Sequence, residues 1–143
     1  MSTNSDLNLD QFSFSCPLQI RFSDIDGYMH VNNGVYFSYF EHARGLFLHE
    51  IAGWNVMEVG TVVGKTTIEY LRPIHLEDKF KCLVRCSRIG NSSFDLEQVI
   101  VSDGDSEFKV FSKCHTVMVS VDMKTMKPTP VPAVYREKLL PSG

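Results

Sequence analysis

The chain has no excess of positive charge, no long apolar run and no cysteine cluster, and each absence removes a class of function. Its 143 residues carry 14 Lys and Arg against 17 Asp and Glu, a net charge of -3. Such a balance gives no overall attraction to nucleic acid or to an anionic membrane surface. Any anionic ligand must therefore be met by a local basic patch. No stretch approaches the ~20 consecutive apolar residues of a membrane span, and Met1 to Asp10 lacks the basic and apolar regions of a secretory signal. A cytoplasmic protein with neither a membrane nor a nucleic-acid partner is expected. The four cysteines, Cys16, Cys82, Cys86 and Cys114, lie scattered through alternating apolar segments, as buried free thiols in a reducing compartment do. On a strand Cys82 and Cys86 stand roughly 13 Å apart at ~3.3 Å per residue. That is too far to share a zinc ion whose bonds to sulfur are about 2.3 Å, so no metal site is expected.

What is present reads as one soluble domain, with 43% hydrophobic and 22% charged residues and neither an internal repeat nor a linker marking a second unit. Residues 1–10, polar and without periodicity, read as a flexible tail, and 11–143 as the single domain. From Phe12 to Phe22 apolar and polar residues alternate, the period of a strand with one buried face; Pro17 within it points to an edge or a bulge. From Asn33 the period becomes helical. Tyr36, Tyr39, Phe40, Ala43, Leu46, Phe47 and Ile51 recur at three- and four-residue steps, and Gly53 is the stop signal, giving about five turns. Strands follow at Gly60–Leu71, Lys79–Ile89, Ser93–Ser102 and Glu107–Val121, parted by Arg72-Pro73, Gly90-Asn91 and Asp103-Gly104. Ala133–Leu140 reads as a short closing helix. One strand, one long helix and a meander of four strands make an α+β unit: an antiparallel curved sheet of about five strands wrapped around a central helix. Its exposed edge calls for pairing with a second copy.

Chemistry concentrates in Asp24-Ile25-Asp26-Gly27-Tyr28-Met29-His30-Val31-Asn32-Asn33, directly before the helix. A helix start presents free N–H donors and partial positive charge, which stabilise negative charge developing on a carbonyl oxygen. A nearby carboxylate then attacks that carbonyl or aims a water at it, so the combination suits acyl transfer. Each residue also has a plainer reading. Asp26 is, on spacing alone, more often a helix cap. Asp24 orients the turn through backbone hydrogen bonds. His30 either orients a water or is structural. Asn32 and Asn33 read as caps, with function assigned to the Asn33 backbone amide. Glu41 and Arg44 lie three apart on one helix face and are positioned to pair. His42, His49, His75 and His115 read as structural or surface residues.

The segment Arg21-Phe22-Ser23-Asp24-Ile25-Asp26-Gly27-Tyr28-Met29-His30-Val31-Asn32-Asn33, with Tyr36, Tyr39-Phe40-Glu41 and Ala43-Arg44 after it, resembles the signature of hotdog-fold thioesterases of the 4-hydroxybenzoyl-CoA thioesterase type. Ile68-Glu69-Tyr70-Leu71-Arg72-Pro73 and Gly90-Asn91-Ser92-Ser93-Phe94 match further family habits, so the similarity covers nearly all of 13 to 140. The resemblance implies hydrolysis of an acyl-CoA or acyl-carrier-protein thioester without metal or bound cofactor. It also implies sites formed between two subunits, and a homodimer that assembles further as a dimer of dimers. It puts the catalytic carboxylate on Asp26, the oxyanion amide at about Asn33, and His30 beside them. Tyr28, Tyr36 and Tyr39 are the expected acyl contacts. Lys65, Thr66, Arg85, Arg88, Ser92 and Ser93 are the expected contacts to the rest of the substrate. Two departures stand out: Met29 where many relatives carry Gly, and Gly90-Asn91 where the hydroxybenzoyl-CoA branch carries basic residues. Two other functions are weighed against hydrolysis. Enoyl-thioester hydration usually brings an Asn-Pro spacer, which this chain lacks. A non-catalytic acyl-CoA sensor would usually carry an added DNA-binding segment.

Overall fold

The structure, a computed structural model, describes residues 8–104 and 107–140; most of the expected tail, 1–7, lies outside the described residues. Residues Leu9–Gln11 form one 3-10 turn, opened by the Asn8 side chain accepting from the Asp10 amide. Strand β1 (Phe14–Leu18) follows and is shorter than its alternating pattern. Past Ile20 the chain turns into a 3-10 helix, Phe22–Asp24, which leaves the Phe22 ring exposed. Helix α1 spans Val35–Phe47 and continues as a wider π-type turn, Leu48–Ala52. Gly53 ends it at φ 65°, a left-handed conformation that glycine takes without a Cβ clash. The remaining elements are β2 (Val59–Tyr70), β3 (Phe80–Ile89), β4 (Ser93–Ser102), β5 (Val110–Asp122) and α2 (Ala133–Leu139). Among the described residues no helix is long and apolar enough to cross a membrane.

All five strands form one antiparallel sheet in the order β1-β3-β4-β5-β2. The expected four-strand meander therefore holds only for β3, β4 and β5. A tight turn at Gly90-Asn91 closes the first of those hairpins, and the connection from Asp103 to Lys109, longer than the expected Asp103-Gly104 turn, joins the second. Between β2 and β3, segment 71–79 contains Pro73 and a turn at Leu76-Glu77, closed by the Asp78 amide donating to the His75 carbonyl (3.0 Å). It does not pair the two strands but carries the chain from one side of the sheet to the other. Pro17 is accommodated because β1 is an edge strand. Register shifts between Val63 and Lys65, Cys86 and Arg88, and Ile100 and Val101 mark the bulges that curve the sheet.

The concave face holds α1. Tyr36, Tyr39, Phe40, Ala43 and Phe47 make the helix's buried stripe and meet Phe80, Cys82, Val84, Phe94, Leu96 and Ile100 from the sheet. Gln98 reaches up from β4 to donate to the Phe40 carbonyl at 2.9 Å, tying sheet to helix through a buried polar contact. All four cysteines are free and buried. Glu41 and Arg44 form no salt bridge among the described residues; burial lowers the Arg44 pKa, and the Glu41 charge opposes that shift without overcoming it.

Candidate active site

The loop before α1 is held by a set of short bonds. The Asp24 amide donates to the Arg21 carbonyl (2.8 Å) and the Asn32 amide to the Asp24 carbonyl (2.8 Å), while Ile25 and Val31 form an antiparallel bridge. Inside that bridge the Asp26 amide donates to the His30 carbonyl (2.8 Å) and the Met29 amide to the Asp26 carbonyl (3.0 Å). The result is a miniature hairpin with Gly27 and Tyr28 at its tip. Met29 completes it at φ 65°, a left-handed conformation costly for a side-chain-bearing residue. Docking comes from the Val31 amide donating to the Ile74 carbonyl (2.8 Å) and from a bridge between His30 and His75.

Asp24 is buried, and its carboxylate accepts from the Tyr39 hydroxyl (2.7 Å) and the Arg21 amide (3.0 Å), with the Arg21 guanidinium at 3.1 Å. Burial pushes its pKa up, but the donors from Tyr39 and Arg21 outweigh burial and leave it below the usual carboxylate range. Asp24 thus fixes the loop to α1 and is spent on structure. Asp26 differs: it is half-buried, its Oδ1 accepts from the Tyr28 amide (2.9 Å), and among the described residues no other donor reaches its carboxylate.

Asp26 lines a cavity of 250 Å³ together with His30, Val31, Asn33, Tyr36, Tyr70, Leu71, Arg72 and Pro73. Asn33 directly precedes Gly34, the N-cap of α1. Asn32, not Asn33, supplies the side-chain bond, with Oδ1 accepting from the Gly34 amide at 2.8 Å; Gly34 is the N-cap and has no side chain to cap with. The Asn33 amide has no acceptor among the described residues, and the Asn33 carbonyl accepts from the Tyr70 hydroxyl at 2.9 Å. Tyr36 packs edge-on against Tyr70 (centroids 4.9 Å), and burial pushes its phenol up to about 12. The site therefore combines a carboxylate oxygen, an open backbone N–H at a helix start and an aromatic wall.

Of the expected site residues, Asp26, His30, Asn33 and Tyr36 come together here. Tyr28 sits at the loop tip, 83% exposed, and Tyr39 points its hydroxyl at Asp24. Lys65 lies on β2 beside a bulge, and the Thr66 hydroxyl shares a 2.6 Å bond with that of Thr116. Arg85 pairs with Glu97 (3.2 Å) and Arg88 with Asp95 (2.9 Å) and the Ser93 hydroxyl (3.3 Å). Ser92 holds β5 through its carbonyl, which accepts from the Ser120 amide. The turn bearing Ser92 and Ser93 lies at the far end of β3, roughly 30 Å from the strand's start at ~3.3 Å per residue, so within one subunit it does not meet Asp26. Tyr70, Leu71, Arg72 and Pro73 are cavity residues that the sequence placed at a strand end and within the family resemblance but not among the expected site residues. Their signal was the run Ile68–Pro73. Among the described residues there is no group of three or more His, Cys, Asp or Glu able to hold a metal.

Known proteins share this architecture. The chain is 30% identical over 125 residues to the long-chain acyl-CoA thioesterase FadM of Escherichia coli (strain K12), covering 85% of this chain and 93% of that one. A thioesterase from Thermus thermophilus, solved with coenzyme A and Zn, is 32% identical with a TM-score of 0.78, covering 90% of this chain and 98% of that one. A 4-hydroxybenzoyl CoA thioesterase mutant, solved with 4-hydroxybenzoyl CoA, is only 14% identical but has a TM-score of 0.80 over 88% of this chain and 97% of that one; it shares the hotdog fold. The family model described as the thioesterase-like superfamily matches residues 20–139, and the chain belongs to that superfamily.

Proposed function

We propose that the protein hydrolyses acyl-CoA thioesters to a free acid and CoA, with Asp26 as nucleophile or general base and the Asn33 amide as oxyanion donor. The observation that carries this reading is that one cavity is lined both by Asp26, whose second carboxylate oxygen has no donor among the described residues, and by Asn33, whose N–H has no acceptor among them. Acting as nucleophile, Asp26 adds to the thioester carbon, the C–S bond breaks with the electron pair leaving on sulfur, and water then opens the mixed anhydride. Acting as base, it takes a proton from water, which adds directly. Both routes place negative charge on the carbonyl oxygen, where a well-placed donor contributes roughly 2.7–4 kcal/mol. A thiolate leaves readily, so no strong acid is required.

The acting unit is a homodimer joined through β2. β1, the other edge strand, is short and carries Pro17, whereas β2 offers twelve residues, with Val62 and Val63 exposed. The strand register supports a composite site. Tyr70, at the Asp26 end, pairs with Ser112, while Val62 pairs with Val119, which pairs in turn with Ser93. A two-fold axis across β2 therefore sets one subunit's Asp26 end beside the partner's Ser93 end. This gives Arg88, Ser92 and Ser93 a route to a substrate held at Asp26.

Purified protein incubated with an acyl-CoA panel and a thiol-trapping dye should release CoA, with Asp26→Asn slower by at least roughly 100-fold. Binding without turnover would make the protein a sensor instead. Turnover confined to acyl-carrier-protein substrates would move the activity to that carrier.

A further inference from the structure

Among the described residues, no hydrogen bond holds the His30 imidazole, although His30 lines the same cavity as Asp26. What meets it is His75. The two rings stand edge to face, 4.9 Å between centroids and 83° between planes, and their backbones are bridged as an antiparallel pair. His75 is in turn fixed from behind. Its amide donates to Asp78 Oδ2 at 2.8 Å, and its Nδ1 lies 3.5 Å from the same oxygen. Ile74, next in the chain, is fully buried and accepts from the Val31 amide, so the backbone under both rings cannot drift apart.

We infer that His75, clasped by Asp78, is a positioning residue for the reaction: it holds the His30 ring on the cavity wall, in register with Asp26 and the Asn33 amide. The Asp78 carboxylate bonds the His75 backbone and lies beside its ring, so that the residue facing His30 is anchored at its main chain. Among the described residues, neither Asp26 Oδ1, which the Tyr28 amide engages, nor the Tyr70 hydroxyl, which is committed to the Asn33 carbonyl, bonds the His30 ring. Edge-to-face aromatic packing sets a ring's plane without consuming its nitrogens. His30 therefore keeps both nitrogens for water or substrate.

The inference rests on the proposed hydrolysis, and two measurements separate the failure of one from the failure of the other. In steady-state assays His75→Ala should lower kcat about tenfold, as a misplaced catalytic group does, with KM little changed. His75→Phe, which keeps an aromatic edge, should recover most of that loss, and Asp78→Asn should fall between. In a His30→Ala background the His75→Ala change should cost nothing further, because His75 acts through His30. Additive losses, or equal losses for His75→Ala and His75→Phe, overturn the inference while leaving hydrolysis intact. The second measurement needs no turnover. Side-chain NMR of the wild type should give cross-relaxation between the His30 and His75 rings, and the His30 resonances should shift or broaden in His75→Ala but not in His75→Phe. Unchanged His30 resonances in His75→Ala refute the inference even in a protein that hydrolyses nothing.

Discussion

Met29 bears a backbone cost that the loop imposes. At φ 65° its Cβ crowds the neighbouring carbonyl, a strain of order 1 kcal/mol that glycine escapes. Its side chain is largely exposed and forms no part of the described core. Met29→Gly should therefore stabilise the fold by about 1 kcal/mol, read as a higher urea midpoint; a lower midpoint would mean that the side chain has an unseen partner. Asp24 and Tyr39 form the opposite case, a buried bond holding a charge. Removing the hydroxyl in Tyr39→Phe should cost about 1.5–3 kcal/mol at neutral pH, the range for hydrogen bonds to charged groups. The sign of its pH dependence follows from Asp24. Its folded pKa is depressed, so the stabilisation is complete above the unfolded carboxyl value of ~3.9 and drains away as pH falls through the lower folded value. Wild type and Tyr39→Phe should thus converge in acid. A gap as wide at pH 3 as at pH 7 would show that the bond does not depend on the carboxylate charge.

At the scale of elements, the start of α1 divides labour between two adjacent asparagines. Asn32 closes the turn through the Gly34 amide, so Asn32→Ala should cost about 1 kcal/mol, as losing a cap does. Asn33 presents its backbone, so Asn33→Ala should leave kcat within a few-fold of wild type; a loss of a hundredfold would give the oxyanion role to the side-chain amide. The sequence carried much of this because its signals are local. The Gly90-Asn91 and Asp103-Gly104 turns frame Ser93–Ser102, which is the strand observed. Gly53 ends the helical path as its position suggested, and Asp26, His30 and Asn33 were legible as one short motif. What was not legible is non-local. No alternation along β2 records that its partner is β5 and not β3. No period distinguishes the π-type turn after Phe47 from more α-helix. The cavity wall from Tyr70 to Pro73 exists only because segment 71–79 passes beneath the start of α1.

For the whole molecule, the question is what covers the α1 side of β2. A groove of 390 Å³ runs between them, lined by Arg44, Gly45, Leu48, Trp54, Val56, Val63 and Met118 among others. A half-buried guanidinium with no salt bridge among the described residues, apolar side chains and a long open strand edge together make a surface that a solitary subunit leaves incompletely covered. Light scattering should return at least twice the mass of one chain, and Val63→Asp, which puts a charge in the seam, should shift the population toward single chains and lower activity with it. A fully active single chain would remove both the dimer and the composite site. The composite site has its own test by subunit mixing. Asp26→Asn disables a site from one side, and Arg88→Ala weakens substrate binding to it from the other. Mixed at equal concentration and allowed to exchange, the two variants form hybrids in about half of all dimers. One site in each hybrid has both defects and the other has neither, so about a quarter of wild-type activity should return at low substrate concentration. If each site were built within one subunit, every site in the hybrid would carry one defect, and mixing would restore nothing.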